Sequence, residues 1–397
     1  MKGFHIGLRR LCSVILGLVY FIAGMLKLMD PVGAGLVVDE YLKFFHLGGL
    51  AFASKTLGVA MALLETFLGA ALIAGVWRKF VAGVTSILTL AFTALTLILV
   101  IFNPEMDCGC FGEAVHLTHM QTFLKNVALC ILCAGAFLPV RDYGRTRKSK
   151  LVAFWLVAVT VLLFTFMSLV SVPLMDFTEF APGASLTADA DAENIDAGIS
   201  LNGENDTKQE YVVIYEKDGQ EGAFTLDNLP DSTWTFVRVE NVEMSVPDYE
   251  QSVPFFYISD AEGNYHNELL SEGKVMVLSV YDVPGYKDAD KAAQFLRDAE
   301  AAGFTAVAVA REPLPALDAF QSDYKKIITF NRSNGGATYL EDGEIICKWP
   351  AGRLPDSDEL SKVASRNPME QLVSRSSRRR IAFQGVVLYS LALLLIL

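Results

Sequence analysis

Five runs of about 20 predominantly apolar residues crowd the first 172 positions, at roughly 11–29, 52–76, 80–102, 120–140 and 151–172. A helix of about 20 such residues crosses a hydrocarbon core roughly 30 Å thick. This part of the chain is therefore expected to fold in a bilayer rather than in water. Residues 381–397, IAFQGVVLYSLALLLIL, form a shorter sixth run; at 1.5 Å per residue it reaches only about 25 Å. The first run follows Lys2, Arg9 and Arg10. It continues through Gly24, Met25 and Lys27 without a small-x-small cleavage site, which predicts an uncleaved span rather than a secretion signal.

Charge divides the 397-residue chain in two. Residues 173–374 carry 37 acidic and 15 basic side chains, a net of −22, while the remainder carries +10. An acidic, water-soluble part is thus joined to an apolar, basic-flanked one, and nothing in this balance suits nucleic acid. With the N-terminus inside, one side of the bilayer collects Lys2, Arg9, Arg10, Arg78, Lys79, Arg141, Arg145, Arg147, Lys148 and Lys150. The opposite loops hold only Lys43, Lys55 and Lys125 near their ends. Basic residues in short loops mark the cytoplasmic side. The expectation is a multi-pass inner-membrane protein with residues 173–374 extracytoplasmic, in the periplasm of a diderm bacterium. Arg375 and Arg378 to Arg380 then lie outside, against that rule.

The acidic part opens with a small, polar stretch without period from Ala181 to about Lys208, read as a linker. Residues 211–250 alternate in the manner of short strands, with Asp218-Gly219 as a turn. Further on come a hairpin around Glu262-Gly263, a buried-type strand Val275 to Val280, and an amphipathic helix over 288–301 with Ala292, Phe295, Leu296 and Ala299 on one face. Phe304 to Ala310 reads as another strand, and Thr338 to Trp349 as a hairpin turning at Asp342-Gly343. The expected domains are 1–140, a four-helix membrane domain; 141–175, a cytoplasmic loop and fifth span; 176–250, a linker and β-rich extension; 251–370, an α/β domain; and 381–397, a last span.

Residues 252–362, with GKVMVLSV, GFTAVAVA and YLEDGEIICKW, resemble a thioredoxin-like domain of the peroxiredoxin or thiol-reductase type. Active members carry Cys-x-x-Cys after the first of those strands. Here Tyr281-Asp282-Val283-Pro284-Gly285-Tyr286 stands in its place, and Asn334-Gly335-Gly336-Ala337 replaces the proline that precedes the closing hairpin. Without a thiolate the site has no nucleophile for dithiol exchange, so the resemblance implies a binding or docking module. Cys347, in a predicted strand, is read as a buried packing residue.

Four of the six cysteines form close pairs, Cys108-Gly109-Cys110 and Cys130-Ile131-Leu132-Cys133. The first pair lies in an outer loop, where an oxidising compartment permits disulfides. Glycine allows the tight backbone that a Cys-x-Cys ring needs, and strained exposed disulfides are the exchanging kind. A permanent bond or two inert thiols is the alternative. The second pair sits at i and i+3 on one face of the fourth span. It is either a helix–helix packing seam or an electron relay from the outer pair to a membrane quinone, as in VKOR-type enzymes. A further possibility is a metal site from Cys108, Cys110, His116 and His119, the ligand types zinc favours.

The first four spans resemble the DoxX-like superfamily, especially its MauE (methylamine-utilisation) branch. The resemblance rests on Arg9/Arg10, Gly17, AGMLKLMDP with Lys27 and Pro31, LLETFLGAALIAG with Glu65, Gly69 and Gly75, and DCGCFGEAVHLTHMQTFLKN with Thr122, Lys125 and Asn126. It implies an association with redox or disulfide biogenesis outside the cytoplasm. Glu65, near mid-span, is costly to bury as a charge and is expected to find a partner, for which Lys27 is the candidate. It is then either a structural ion pair or a proton-coupled group beside a thiol or quinone site. The leading expectation is a redox-associated membrane protein in which Cys108 and Cys110 exchange with an extracytoplasmic protein partner. Cys130, Cys133 and Glu65 would pass electrons and protons onward, with a quinone as the possible cofactor. The alternatives are a non-catalytic scaffold with structural cysteines and, less favoured, a metal-binding protein.

Overall fold

The computed structural model describes residues 2–104, 106, 108–115, 117–138, 146–186, 210–217, 220–225, 235–242 and 256–396. Two compact units make up the chain: residues 1–186 together with 258–397, and residues 187–257. In the larger unit, six helices among the described residues are long and apolar enough to cross a membrane: Gly7–Met29, Gly48–Ala74, Arg78–Phe102, His119–Phe137, Lys148–Leu169 and Pro368–Ile396. They belong to α1 (Lys2–Met29), α3 (Ser54–Ala74, entered through a 3-10 turn), α4 (Arg78–Phe102), α5 (His119–Phe137), α6 (Lys148–Leu169) and α10 (Pro368–Ile396). Large side chains such as Ile87, Ile131, Leu163 and Phe166 remain exposed on their outer faces, as lipid-facing positions must.

Helix α1 packs along α3 because glycines remove the side chains between them. A Cβ at Gly69 would lie 2.7 Å from Gly17 O, and one at Gly24 would lie 2.7 Å from Ala62 O. Without a hydrophobic drive between helices in lipid, such close approach supplies the van der Waals attraction. At one end of the bundle, arginines satisfy helix C-terminal carbonyls that have no intrahelical partner. Arg10 donates to Leu72 O at 2.9 Å and also to Ile73 O, Arg78 Nε to Gly75 O at 3.1 Å, and Arg9 Nε to Ala136 O at 3.2 Å.

Several helices have no counterpart in the sequence reading, among them Tyr324–Phe330 and Ser357–Ser365 beside the sheet and one in the membrane half. Helix α2 (Pro31–Phe44) begins where Asp30 accepts from Gly33 N at 3.0 Å and Pro31 takes the first helical position, a standard start. The last span also differs from expectation, since α10 begins at Pro368 rather than 381. Its first turns serve the soluble domain: Arg379 Nη2 donates to Lys348 O at 3.4 Å, and the Arg375 guanidinium lies 4.7 Å from the Trp349 ring. This accounts for the basic cluster that the orientation rule left unexplained. At its far end Lys150 Nζ reaches Leu394 O at 3.4 Å, so α10 runs the length of the bundle.

The soluble part of this unit is a five-stranded mixed sheet of β5 (Lys274–Val280), β6 (Thr305–Ala310), β7 (Phe320–Gln321), β8 (Gly336–Glu341) and β9 (Glu344–Trp349), ordered β7-β6-β5-β8-β9. Strands β5, β6 and β7 pair in parallel, whereas β8 pairs antiparallel with both β5 and β9. Side chains alternate between the faces. Met276, Leu278 and Val280 pack with Ala292, Phe295 and Ala299 of α7 (Ala289–Ala301) and with Leu360 and Val363 of α9 (Ser357–Ser365). Helix α8 (Tyr324–Phe330) buries Ile327, Ile328 and Phe330, with Phe180 edge-on to Phe330 at 5.5 Å. The expected strands, hairpins and amphipathic helix are all present here. Residues 183–186, expected to be linker, instead pair with β9 through Gly183 N to Ile345 O at 2.7 Å and Leu186 N to Gly343 O at 2.8 Å. Backbone pairing of this kind needs no side-chain period, so the sequence pattern is silent about it. The remainder of that linker, 187–208, lies outside the described residues.

The second unit holds β2 (Glu210–Lys217), β3 (Gln220–Thr225) and β4 (Thr235–Val242) as an antiparallel sheet ordered β3-β2-β4. Lys217 faces Gln220 in register; the Asp218-Gly219 turn expected between them lies outside the described residues.

Two outcomes follow from this packing. Gly69→Val is expected to lower the thermal midpoint of the detergent-solubilised chain, costing about 1–3 kcal/mol as an overpacked contact, whereas Gly83→Ala, which meets nothing within 4 Å, should be nearly neutral. The second concerns Asp176, whose carboxylate binds the buried Lys348 Nζ at 2.7 Å. Burial opposes ionisation, but the Lys348 charge and the hydrogen bonds from Thr178 outweigh it and hold the carboxyl below its usual range. A depressed folded-state pKa stabilises above the unfolded value, about 3.9, and is lost as pH falls through the folded one. Asp176→Asn should therefore cost about 3–5 kcal/mol near neutrality, read by thermal unfolding, and the gap to wild type should narrow as pH drops below about 4.

Candidate functional site

Cys108-Gly109-Cys110 is held in a strained-looking but well-explained turn. Gly109 has φ +58°, and a Cβ there would collide with the Val37 side chain of α2. Glycine thus serves both the left-handed backbone and the close approach. Tyr41 OH, also on α2, donates to Cys108 O at 3.1 Å, and Gly112 N closes on Gly109 O at 3.2 Å. From Cys110 the chain continues as β1 (Cys110–Glu113). Cys108 is buried and Cys110 half-buried; Cys110 is a thiol, so the two sulfurs are not bonded to each other.

Both cysteines open onto one cavity of about 280 Å³ within the bundle, walled by α1 to α5. Most of its wall is apolar, from residues such as Val37, Phe92 and Leu95. Its main polar feature is the pair anticipated from sequence: Lys27 Nζ binds both carboxylate oxygens of Glu65, at 2.7 and 2.8 Å, and Glu65 is 2% exposed. The geometry therefore brings Cys108, Cys110, Lys27 and Glu65 to a single space. Tyr20 and Thr89 also line it, their hydroxyls 2.8 Å apart.

Cys130 and Cys133 do share a face, but they are not among the residues lining the cavity. Their sulfurs meet α4 instead, Cys130 Sγ at 3.3 Å from Thr93 Oγ1 and Cys133 Sγ at 3.6 Å from Thr89 Oγ1. The Thr89 hydroxyl thus lies between Cys133 and the cavity, whereas Thr93, beside Cys130, does not line it. The four-ligand metal set is not assembled. Among the described residues no group of three or more His, Cys, Asp or Glu side chains is placed to hold a metal. His116 lies outside the described residues, and the His119 ring turns to Asn103 Oδ1 at 3.2 Å and Met106 O at 3.1 Å. Cys347 is buried in the sheet, where burial pushes its thiol up to about 12 despite the nearby Arg375 and Arg379; a thiol so held is inert.

The residues that sequence reasoning missed are those tying this site to the soluble domain. Arg332, whose side chain is 3% exposed, donates from Nε to Asp30 Oδ2 at 3.0 Å and from Nη2 to Glu113 Oε1 at 2.8 Å. Burial works against its charge, but Asp30 and Glu113 overcome this and raise its pKa further. One side chain thus holds the start of α2 and the end of the cysteine-bearing strand. The Tyr281–Tyr286 loop lies beside it. Asn334 Oδ1 accepts from Tyr281 N at 2.8 Å and Asp282 N at 3.0 Å, and Tyr281 OH donates to Arg332 O at 3.3 Å. Burial pushes the Tyr281 phenol up to about 12. Tyr281 and Asn334 share a cleft with Asp30, Pro31 and Lys55, so this loop faces the bundle. Neither the Asp30-Pro31 helix start nor a lone arginine 302 positions later was part of the sequence reading.

Fold and site together define a multi-pass membrane protein with a cysteine-bearing, mostly apolar cavity and a soluble α/β domain clamped beside it. Residues 7–139, which contain the first four spans, match the family model described as Methylamine utilisation protein MauE. Residues 209–243, spanning β2 to β4, match a Domain of unknown function (DUF8463). No curated protein and no solved structure matches the chain.

Arg332→Met is expected to destabilise the chain by about 3–5 kcal/mol, because it leaves Asp30 and Glu113 without their cation. Neutralising the carboxylates as well (Arg332→Met/Asp30→Asn/Glu113→Gln) should recover much of that loss. Thermal unfolding of the full chain, followed at Trp349, reads both.

Proposed function

We propose that the chain is an inner-membrane redox protein of the MauE type, in which Cys108 and Cys110 exchange electrons with the thiols of an extracytoplasmic partner protein. The observation that carries this reading is the shared cavity: two cysteines one residue apart open onto the same space as a buried Lys27–Glu65 pair. A carboxylate and an ammonium kept at membrane depth are costly unless used, and thiol oxidation needs groups that can follow protons. Lys27 and Lys125 both line the cavity, and positive charge favours the thiolate that attacks.

Orientation is supported by geometry as well as by basic residues. Asp30, Glu113 and Asp176 follow the first, third and fifth spans, and all three bind the soluble domain. Arg9, Arg10 and Arg78 cluster at the other end. The positive-inside rule then puts the soluble domain outside the cytoplasm. Its sheet order, with a parallel β5-α7-β6 unit, an antiparallel β8-β9 edge and helices on both faces, favours the thioredoxin-like reading. The loop that would carry the thiols holds none, and Asn334 fixes it beside the bundle. In this reading the domain is a clamp: through Arg332 it holds β1, and with it the cysteine turn, over the cavity. Cys130 and Cys133, which do not line the cavity, would act as a reserve pair.

Acid-quenched cells, denatured and alkylated with a mass-tagged maleimide, report the redox state of each cysteine. Part of the Cys108/Cys110 population is expected to be oxidised. Cys108→Ser should leave Cys110 trapped with its partner in a reductant-sensitive adduct. A pair that stays reduced under oxidising growth, with no adduct from either single variant, would leave the cysteines structural and favour a scaffold.

A further inference from the structure

Resting on the assignment of Cys108 and Cys110 as a reacting pair, we propose that the adjoining cavity binds the ring of a membrane quinone, the two-electron acceptor that reoxidises the pair. At about 280 Å³ the cavity lies just below the usual range of ligand sites, about 300–1,000 Å³. It has room for a ring system and none for a whole isoprenoid lipid. Phe45 and Met61, both on its wall, are 43% and 37% exposed. The wall is therefore exposed at these two side chains, the side on which an apolar tail would leave for lipid.

The polar groups distinguish a quinone from an acyl chain. Glu65 accepts two of the three ammonium protons of Lys27. The third has no acceptor among the described residues, and Lys27 lines the cavity. A carbonyl oxygen on an otherwise apolar ring is the group that fits it. A saturated chain offers no acceptor and would leave the Lys27–Glu65 pair without a use.

The chemistry closes without another reagent. Two S–H bonds break and one S–S bond forms between Cys108 and Cys110, releasing two electrons and two protons. The quinone takes all four, and its two carbonyl oxygens become the two O–H groups of the hydroquinone. Lys27 donates to the oxygen on which negative charge develops. Its own charge stays balanced by the Glu65 carboxylate, which remains ionised, and the two thiol protons end on the quinone oxygens. The hydroquinone then leaves by the side it entered.

The test uses the full chain in nanodiscs with decyl-benzoquinone as the probe and decylbenzene, which lacks the oxygens, as the control. Decyl-benzoquinone is expected to bind by titration calorimetry at least tenfold more tightly than decylbenzene. Leu95→Trp, which fills the cavity, should weaken it at least tenfold, as should Lys27→Met/Glu65→Leu, which removes the charge pair without stranding either member. Unchanged thermal midpoints would show that both variants fold. Cys108→Ser/Cys110→Ser should retain binding and lose the part of dithiothreitol-driven quinone reduction that exceeds the rate without protein. Equal binding of the two probes, or binding unaffected by Leu95→Trp, would overturn the quinone site. If the quinone binds but wild type does not reduce it while its cysteines stay inert to dithiothreitol, the exchange reading fails and the site stands. If the cysteines exchange with dithiothreitol and no quinone binds, the exchange reading stands and the site fails.

Discussion

Arg332 gives up its hydration to sit between Asp30 and Glu113, and much of the larger unit is arranged around that contact. A guanidinium suits the place because its planar fork serves two carboxylates at once and keeps its charge when buried. Asp30 is doubly committed, since its other oxygen caps α2 through Gly33 N. Helix α2 in turn supplies Val37 and Tyr41, against which the cysteine turn rests. Removing the arginine would disturb a soluble domain, a helix start and a candidate redox loop together. Lys348–Asp176, Lys325–Glu40 and Lys326–Glu179 repeat the same logic at other points of the same junction. Four basic residues of an acidic domain thus sit where it meets the membrane half.

Inside the bundle the decisive constraint is different. Lipid supplies no hydrophobic drive between helices, so α1 and α3 are held by shape, glycine against backbone. The same two helices carry Lys27 and Glu65. Their close approach sets the two side chains near enough for a bidentate contact, and the wider space beyond it becomes the cavity. The Cys108–Glu113 segment closes that space from the end nearer the sheet domain. Chemistry and packing here are one arrangement, because the glycines that let the helices meet also position the charges.

The expected elements were largely legible. Apolar runs gave the spans, period-2 alternation gave the strands, and Asp342-Gly343 gave the hairpin, whose residues adopt φ +48° and +80°. The pairing of Lys27 with Glu65 followed from the cost of a lone carboxylate in lipid. What escaped notice had a common cause. Helix α2 is too short and too mixed to register as a span. Residues 183–186 join β9 through backbone atoms alone. The early start of α10 lies in a polar stretch whose arginines answer to a neighbouring domain rather than to water.

The sequence by itself determined that this chain carries several runs long and apolar enough to cross a membrane, that an acidic α/β part follows them, and that a Cys-Gly-Cys turn lies between the third and fourth runs of a MauE-like stretch. Those properties are local: hydrocarbon thickness, charge and backbone freedom are read from consecutive residues. Only the tertiary structure decided that Cys108 and Cys110 share a cavity with Lys27 and Glu65, that Cys130 and Cys133 do not line it, and that Arg332 clamps the loop from 219 residues away. Such juxtapositions depend on how helices pack and which buried charges find each other, and no spacing along the chain encodes them.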